Sequence, residues 1–143
     1  MSGDIRQFDK INPASKPLIG RKGWYVLTES ISYEVGFYGS GDVITVPVGF
    51  ETDYASVPRA FWVMVAPRGA HEAAALIHDY LYKYNLRTRI KADKIYMEGL
   101  EVLSVPSWKC AAMYRAVRLW GWKPWGKASK RIKREKRDAK KHT

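Results

Sequence analysis

The amino-acid sequence predicts an α+β fold, in which an N-terminal antiparallel β-meander is followed by three helices and a basic C-terminal tail. β-Branched and aromatic residues concentrate in the first third of the chain, as they do in strands. Apolar residues at helical spacing begin near residue 70, and Lys and Arg crowd the residues after 120. Strands that precede helices, instead of alternating with them, are typical of α+β architectures.

Three short segments separated by turn-forming residues predict a meander of two or three antiparallel strands. Segments 24–28, 31–35 and 43–48 are rich in Trp, Tyr, Val, Ile and Thr, which fit a pleated, half-buried surface. The Gly-rich run 36–42 supplies a turn between the last two. Residues 1–22 contain prolines and show no periodicity, so we expect an extended arm that lies across the domain.

Helical patterns follow at 59–65, 70–84, 90–103 and 108–120, the first being only one or two turns. In the strongest of them Ala74, Ile77 and Leu81 recur on one face. The connection 85–89 is short enough to make its two flanking helices an antiparallel pair. The segment 121–126 contains two glycines and Pro124, so we expect it to fold back on the domain without being helical throughout.

The net charge of +11 is concentrated in the tail, since residues 121–143 carry +8 and the first 120 residues carry +3. We therefore assign a single domain to residues 23–122 and a basic tail to 123–143, which alone is either disordered or a solvated helix. The tail is either a contact for nucleic acid or an acidic partner, or a solvated extension without a ligand. The candidate contacts are Lys127, Lys130, Arg131, Lys133, Arg134, Lys136, Arg137, Lys140 and Lys141.

Composition excludes several other classes of protein. Cys110 is the single cysteine, which excludes an internal disulfide and any multi-cysteine zinc site. The sequence contains no run of about 18 apolar residues, so we expect no transmembrane helix. The polar N-terminus lacks the apolar core of a secretion signal, so we expect synthesis and folding in the cytoplasm.

The adjacent pair His78 and Asp79 lies within the predicted helix 70–84 and is the main candidate for chemistry. Tyr82, four residues after His78, shares its helix face. In an antiparallel pair, Asp93 on the next helix lies within about 4–5 Å of the axial height of His78. We therefore expect a hydrogen bond between His78 and Asp93, either in a satisfied core network or in a site that binds or acts.

A second motif lies at residues 49–59 and contains Asp53 and Ser56. Both side chains suit the N-terminus of a short helix that opens at Pro58. The alternative is that Asp53 is a site carboxylate or a metal ligand. A zinc site made of His78, Asp79 and Asp53 is conceivable on the same grounds.

These two motifs, G-F-E-T-D-Y-A-S-V-P-R at 49–59 and H-D-Y-L-Y at 78–82, resemble a family of short phage and prophage proteins of unknown function. The resemblance covers residues 49–122, including the aromatic and basic segment that ends near Trp122. It implies a phage origin and leaves the biochemical activity open.

The pattern His78-Asp79-x-x-Tyr82 followed by Asp93 also resembles secreted phospholipases A2 over a short stretch. In that family the His activates a water, the adjacent Asp holds calcium, and the distant Asp orients the His. The resemblance implies the same roles here for His78, Asp79 and Asp93. The conserved disulfides of that family are absent, and no Gly-rich calcium loop stands at the expected short distance before the helix.

Two classes of function follow. The first is a phage-encoded virion assembly or accessory protein, a head, connector or tail component, which docks on virion proteins and uses its basic tail on nucleic acid or an acidic protein surface. It would be made in the host cytoplasm and carried in the virion, without a cofactor. The second is a small calcium-dependent hydrolase of lipid or cell-envelope esters, with His78, Asp93 and Tyr82 in the catalytic site and Asp79 and Asp53 on the metal.

Overall fold

The computed structural model describes residues 3–53 and 71–142 and confirms the α+β class, because antiparallel strands precede the helices. The strands are β1 Ser15–Pro17, β2 Tyr25–Leu27, β3 Ile31–Glu34, β4 Val43–Val46 and β5 Glu51–Thr52. After a short 3₁₀ turn at Ile5–Gln7, the helices are α1 Glu72–Tyr84, α2 Arg89–Val102, α3 Ser107–Trp120 and α4 Trp122–Lys141. Ser56 and the predicted short helix 59–65 lie outside the described residues.

The antiparallel pair predicted across the Gly-rich run 36–42 is confirmed by β3 and β4, but β2 does not extend it, since the strands form two separate sheets. One sheet has the order β1-β2-β5, and the other is the hairpin β3-β4, with Ile31 opposite Val46. Strand β2 does not pair with β3 because its two edges are already occupied by β1 and β5. Pairing between strands distant in sequence depends on long-range packing, which local propensity does not report.

The N-terminal segment lies across the domain, as expected, but it is folded rather than extended throughout. Gln7 and Phe8 are buried, and the Phe8 ring packs on Tyr33 with centroids 4.5 Å apart. The Gln7 amide donates to the Glu34 carbonyl at 3.0 Å. Strand β1 adds a further backbone connection to β2. Burial of Phe8 and satisfaction of the Gln7 amide therefore hold this segment on the domain.

Helices α1 and α2 form the predicted antiparallel pair, joined by a short connection in which Asn85 has the left-handed φ of 47°. Gly99 of α2 lies against Ala74 of α1, and a Cβ at Gly99 would stand 3.2 Å from the Ala74 Cβ. The absence of a side chain at this point lets the two helices approach closely. Helix α3 packs on α2 and buries Met113 and Val117 in the same core.

One residue, Gly121, separates α3 from α4, and residues 122–126 are helical, so the predicted break in the segment 121–126 is confined to Gly121. Pro124 lies in the first turn of α4, where backbone N–H groups have no acceptor within the helix, so its ring removes no hydrogen bond. Gly121 provides the space for the junction, because a Cβ there would overlap the Val117 carbonyl and the Tyr82 hydroxyl.

The first half of α4 folds back on α1, as expected for this part of the chain. The Trp125 ring meets the Tyr82 ring edge-on with centroids 5.1 Å apart, and Ala128 is buried. The Ser129 hydroxyl donates to Asn85, and the Arg131 guanidinium donates to the carbonyl of Lys83. Beyond residue 132 the helix is exposed, so only its second half is a solvated helix.

Among the helices of residues 3–53 and 71–142, none combines the length and the apolar composition that crossing a bilayer requires.

Candidate functional site

A buried carboxylate at the junction of the helices is the centre of the first candidate site. The Oδ1 atom of Asp93 lies 2.8 Å from His78 Nε2 and accepts from the Tyr82 hydroxyl at 2.6 Å. Its Oδ2 atom accepts from Arg118 Nη1 at 2.7 Å, and Arg89 Nη1 stands 3.6 Å away. The predicted contact between His78 and Asp93 is therefore confirmed, with Tyr82 joining it from the same helix face.

The electrostatics of this cluster keep Asp93 ionised. Burial alone raises the pKa of Asp93, but the hydrogen bonds from His78, Tyr82 and Arg118 outweigh it and hold that pKa below its ordinary value. An ionised carboxylate can only accept, so His78 Nε2 carries a proton and donates it to the hydrogen bond with Asp93. Burial, followed by the bond to Asp93, raises the pKa of Tyr82, which therefore remains a neutral donor.

The two arginines were not anticipated from the sequence. Arg89 precedes Asp93 by one helical turn, and that spacing is a usable signal for an ion pair. Arg118 comes from α3, and no local pattern links it to Asp93. Arg89 also donates to the carbonyls of Val117 and Arg118 at the end of α3. The cluster thus joins α1, α2 and α3 through one carboxylate.

The imidazole of His78 is enclosed, with no exposed surface, as is Asp93. The rings of Tyr82 and Tyr96 flank it, with centroids 4.2 and 4.7 Å from the imidazole centroid. A buried ion pair in which both oxygens of the acid are satisfied is typical of a structural network. Asp93 thus orients the His78 ring, but within the described residues no face of that ring is exposed to solvent.

A second group of polar residues lies where α1 meets β5. The Thr52 hydroxyl donates to Asp79 Oδ2 at 2.7 Å, which ties the end of the small sheet to the helix. Asp79 and Asp53 both line a cavity of about 640 Å³. The structure therefore brings the two predicted metal carboxylates to one cavity, while His78 does not belong to its described lining.

These carboxylates do not fit calcium or zinc. No three His, Cys, Asp or Glu side chains within residues 3–53 and 71–142 stand close enough to share a metal ion. Residues 54–70 contain none of these four residue types, so they add no ligand of this kind. Calcium is normally bound by six to eight oxygen ligands, and Asp79 and Asp53 together supply too few of them.

Basic residues of α4 form the opposite wall of the same cavity. Lys127, Lys130, Arg131 and Arg134 recur at three- and four-residue spacing, so they share the side of the helix that faces the cavity. The apolar part of the lining includes Trp24, Phe50, Tyr82, Pro124 and Ala128. Lys133, Lys136, Arg137, Lys140 and Lys141 lie beyond the described lining, on the exposed half of α4. The tail was predicted to be basic, but the cavity beneath it was not predicted.

Comparison with known proteins identifies a family without assigning an activity. A family model described as "Protein of unknown function (DUF1353)" matches residues 25–117, which is more than half of the chain. "Uncharacterized protein y4jT" of Sinorhizobium fredii (strain NBRC 101917 / NGR234) is 37% identical over 78 residues. That alignment covers 53% of this chain and 23% of the relative, so the chain spans about a quarter of that protein. No solved structure matches. The matched region contains His78, Tyr82 and Asp93 and ends before α4.

Proposed function

The chain belongs to the DUF1353 family of proteins of unknown function, and we propose that it is a phage-encoded virion assembly or accessory protein. In this proposal it is a head, connector or tail component that docks on other virion proteins and binds a polyanion through α4. It is made in the host cytoplasm and then joins the particle. The resemblance of residues 49–59 and 78–82 to phage and prophage proteins supports the origin.

The observation that carries the proposal is an ordered array of cations on α4. Five cations lie within roughly 80° of one another around the helix, and we call them the cation stripe: Lys127, Lys130, Arg134, Arg137 and Lys141. They extend over about 21 Å of helix at 1.5 Å per residue. Packing of Trp125 and Ala128 on the domain holds the first turns of this array in place. A preorganised array binds an extended polyanion at a lower ordering cost than a flexible tail does.

The buried cluster around Asp93 supports a docking role. His78 and Asp93 have no exposed surface, and both carboxylate oxygens already accept hydrogen bonds. Their arrangement joins three helices into a rigid support for α4, since Tyr82 contacts both Asp93 and Trp125. In this proposal the cluster is structural, and the cation stripe of α4 is the functional surface.

Mass spectrometry of purified phage particles and their assembly intermediates tests the assembly role. We expect the chain in particles, or in head, connector or tail intermediates, from a strain whose prophage encodes it. Deletion of its gene should arrest assembly at a defined stage, and a plasmid copy should restore it. Absence from every particle and intermediate, with normal phage yield from the deletion strain, would remove the virion assignment.

A His-Asp hydrolase of lipid or cell-envelope esters is the second candidate. The bonds of Asp93 to His78 and Tyr82 match the arrangement in secreted phospholipases A2, where a distant Asp orients the His. In this candidate His78 accepts a proton from water at Nδ1, and Asp93 fixes the tautomer. We include no calcium step, since the carboxylates do not fit that ion. Hydrolysis of phospholipid or envelope esters by the purified chain, lost in His78→Gln while the variant stays folded, would support this candidate. We expect no hydrolysis.

A further inference from the structure

We infer that the cavity between α4 and strand β5 binds one nucleoside monophosphate unit, either a free nucleotide or the end of a nucleic-acid strand. The inference rests on the polyanion-binding part of the proposed function and names a site and a ligand for it. The volume of the cavity, about 640 Å³, falls within the range of small-molecule sites.

One wall of the cavity suits a phosphate group. Lys127, Lys130 and Arg134 line it from consecutive turns of α4, within about 10 Å of helix. Within the described residues none of the three makes an ion pair, whereas Arg131 is engaged by the Lys83 carbonyl and by Glu135 at 3.6 Å. Three cations that are not held in ion pairs, around one concave surface, favour an anion that several of them contact at once.

The apolar part of the lining suits a planar base. Trp24 and Phe50 line the cavity from the sheet side, and Pro124 and Ala128 line it from α4. The Arg21 guanidinium stacks over the Trp24 indole at 3.7 Å, which fixes the ring plane. Bases stack on aromatic side chains of this kind without a requirement for a particular sequence.

The remaining part of the lining favours a nucleotide over a bare polyanion. Glu51, Asp53 and Asp79 line the cavity from β5 and α1, together with Thr52 and Lys83. The Oε2 atom of Glu51 accepts from Arg21 at 3.2 Å, and a carboxylate can accept about four hydrogen bonds, so Glu51 can also accept from ribose hydroxyls or base amines. The same carboxylates repel a second phosphate. A ligand with one anionic end and a neutral, donor-rich body matches both walls.

The test uses the full chain and adenosine 5′-monophosphate, with calorimetry and Trp fluorescence as readouts. We expect binding that quenches Trp fluorescence and is tighter than that of ribose 5-phosphate, which lacks the base. Lys130→Gln with Arg134→Gln should weaken it by roughly tenfold or more, since each charged hydrogen bond contributes substantially. Lys133→Gln with Lys136→Gln removes the same charge from α4 outside the cavity lining and should change affinity by less than about twofold.

Equal affinity for adenosine 5′-monophosphate and ribose 5-phosphate, or equal losses in the two double variants, would overturn the inference. So would duplex DNA binding without nucleotide binding, which leaves the proposed polyanion function standing. Failure to bind either DNA or nucleotide would overturn both the nucleotide site and the polyanion-binding function. Oligonucleotides with and without a 5′-phosphate distinguish a strand end from a free nucleotide as the ligand. Tighter binding of the phosphorylated strand than of the free nucleotide indicates a strand end. Tighter binding of the free nucleotide indicates that the nucleotide is the ligand.

Discussion

At Asp93, a single carboxylate receives hydrogen bonds from side chains of α1 and α3 within a core that excludes water. Its position next to His78 follows from helix spacing, and the bond of 2.8 Å between them was predicted on that ground. The contribution of Arg118 was not predicted, because α3 approaches α2 through packing that no local sequence pattern reports. The ion pairs convert a buried acid, costly on its own, into a connection between helices.

Asp93→Asn tests whether the charge of this residue holds the helices together. The substitution leaves Arg118 and Arg89 facing a neutral amide, so we expect the free energy of unfolding to fall by about 3 kcal/mol. Tyr82→Phe is the matched control, since it removes one hydrogen bond to the same oxygen and should cost only about 1 kcal/mol. Urea unfolding of the two variants measures the difference. Equal losses would show that the carboxylate charge contributes little.

The acid limb of the stability curve provides a second test at this residue. The pKa of Asp93 in the folded chain is held below the ordinary value of 3.8, so the unfolded chain binds more protons in that window. The stabilisation from Asp93 is therefore present above about pH 4 and is lost as the pH falls through the folded pKa. We expect unfolding measured from pH 6 to pH 2 to show a shallower acid limb in Asp93→Asn. Parallel curves would mean that the pKa of Asp93 is the same in the folded and unfolded chains, which contradicts the lowered pKa.

At the level of elements, helix positions and the pairing of β3 with β4 were predictable, whereas the partners of β2 were not. The helices predicted at 70–84, 90–103 and 108–120 correspond to α1, α2 and α3 within two residues at each end. Periodic apolar residues report such helices locally. The pairing of β2 with β1 and β5, and the start of α4 at Trp122, depend on contacts between distant residues. The cavity was not predictable for the same reason, since α1, α4 and β5 all contribute to it.

The junction between α3 and α4 can be tested with a pair of glycines. Gly121→Ala places a methyl group against the Val117 carbonyl and the Tyr82 hydroxyl, and we expect it to cost about 2 kcal/mol. Gly126→Ala is the matched control on the same helix, because no heavy atom lies within 4 Å of its Cβ position. It should be neutral or stabilising by up to about 1 kcal/mol. Thermal melting compares them, and equal effects would contradict the close contact at Gly121.

At the scale of the whole molecule, charge and core are arranged separately. The first 120 residues carry +3 and hold almost the entire buried core, while α4 carries most of the surplus positive charge. The first half of α4 is packed on the domain, and the half beyond residue 132 is exposed. This arrangement presents cations on a fixed support and keeps the surface of the domain nearly balanced.

The salt dependence of duplex DNA binding, compared between the full chain and a chain that ends at Ile132, tests whether α4 is the polyanion-binding element. The shorter chain retains Trp125, Ala128 and Arg131, so we expect its melting temperature to fall by no more than a few degrees. It lacks six cations of the exposed half of α4. The slope of log affinity against log salt should therefore fall by up to about 5, because each neutralised phosphate releases a counterion. An unchanged slope and affinity in a folded, truncated chain would contradict the proposal that α4 is the polyanion-binding element.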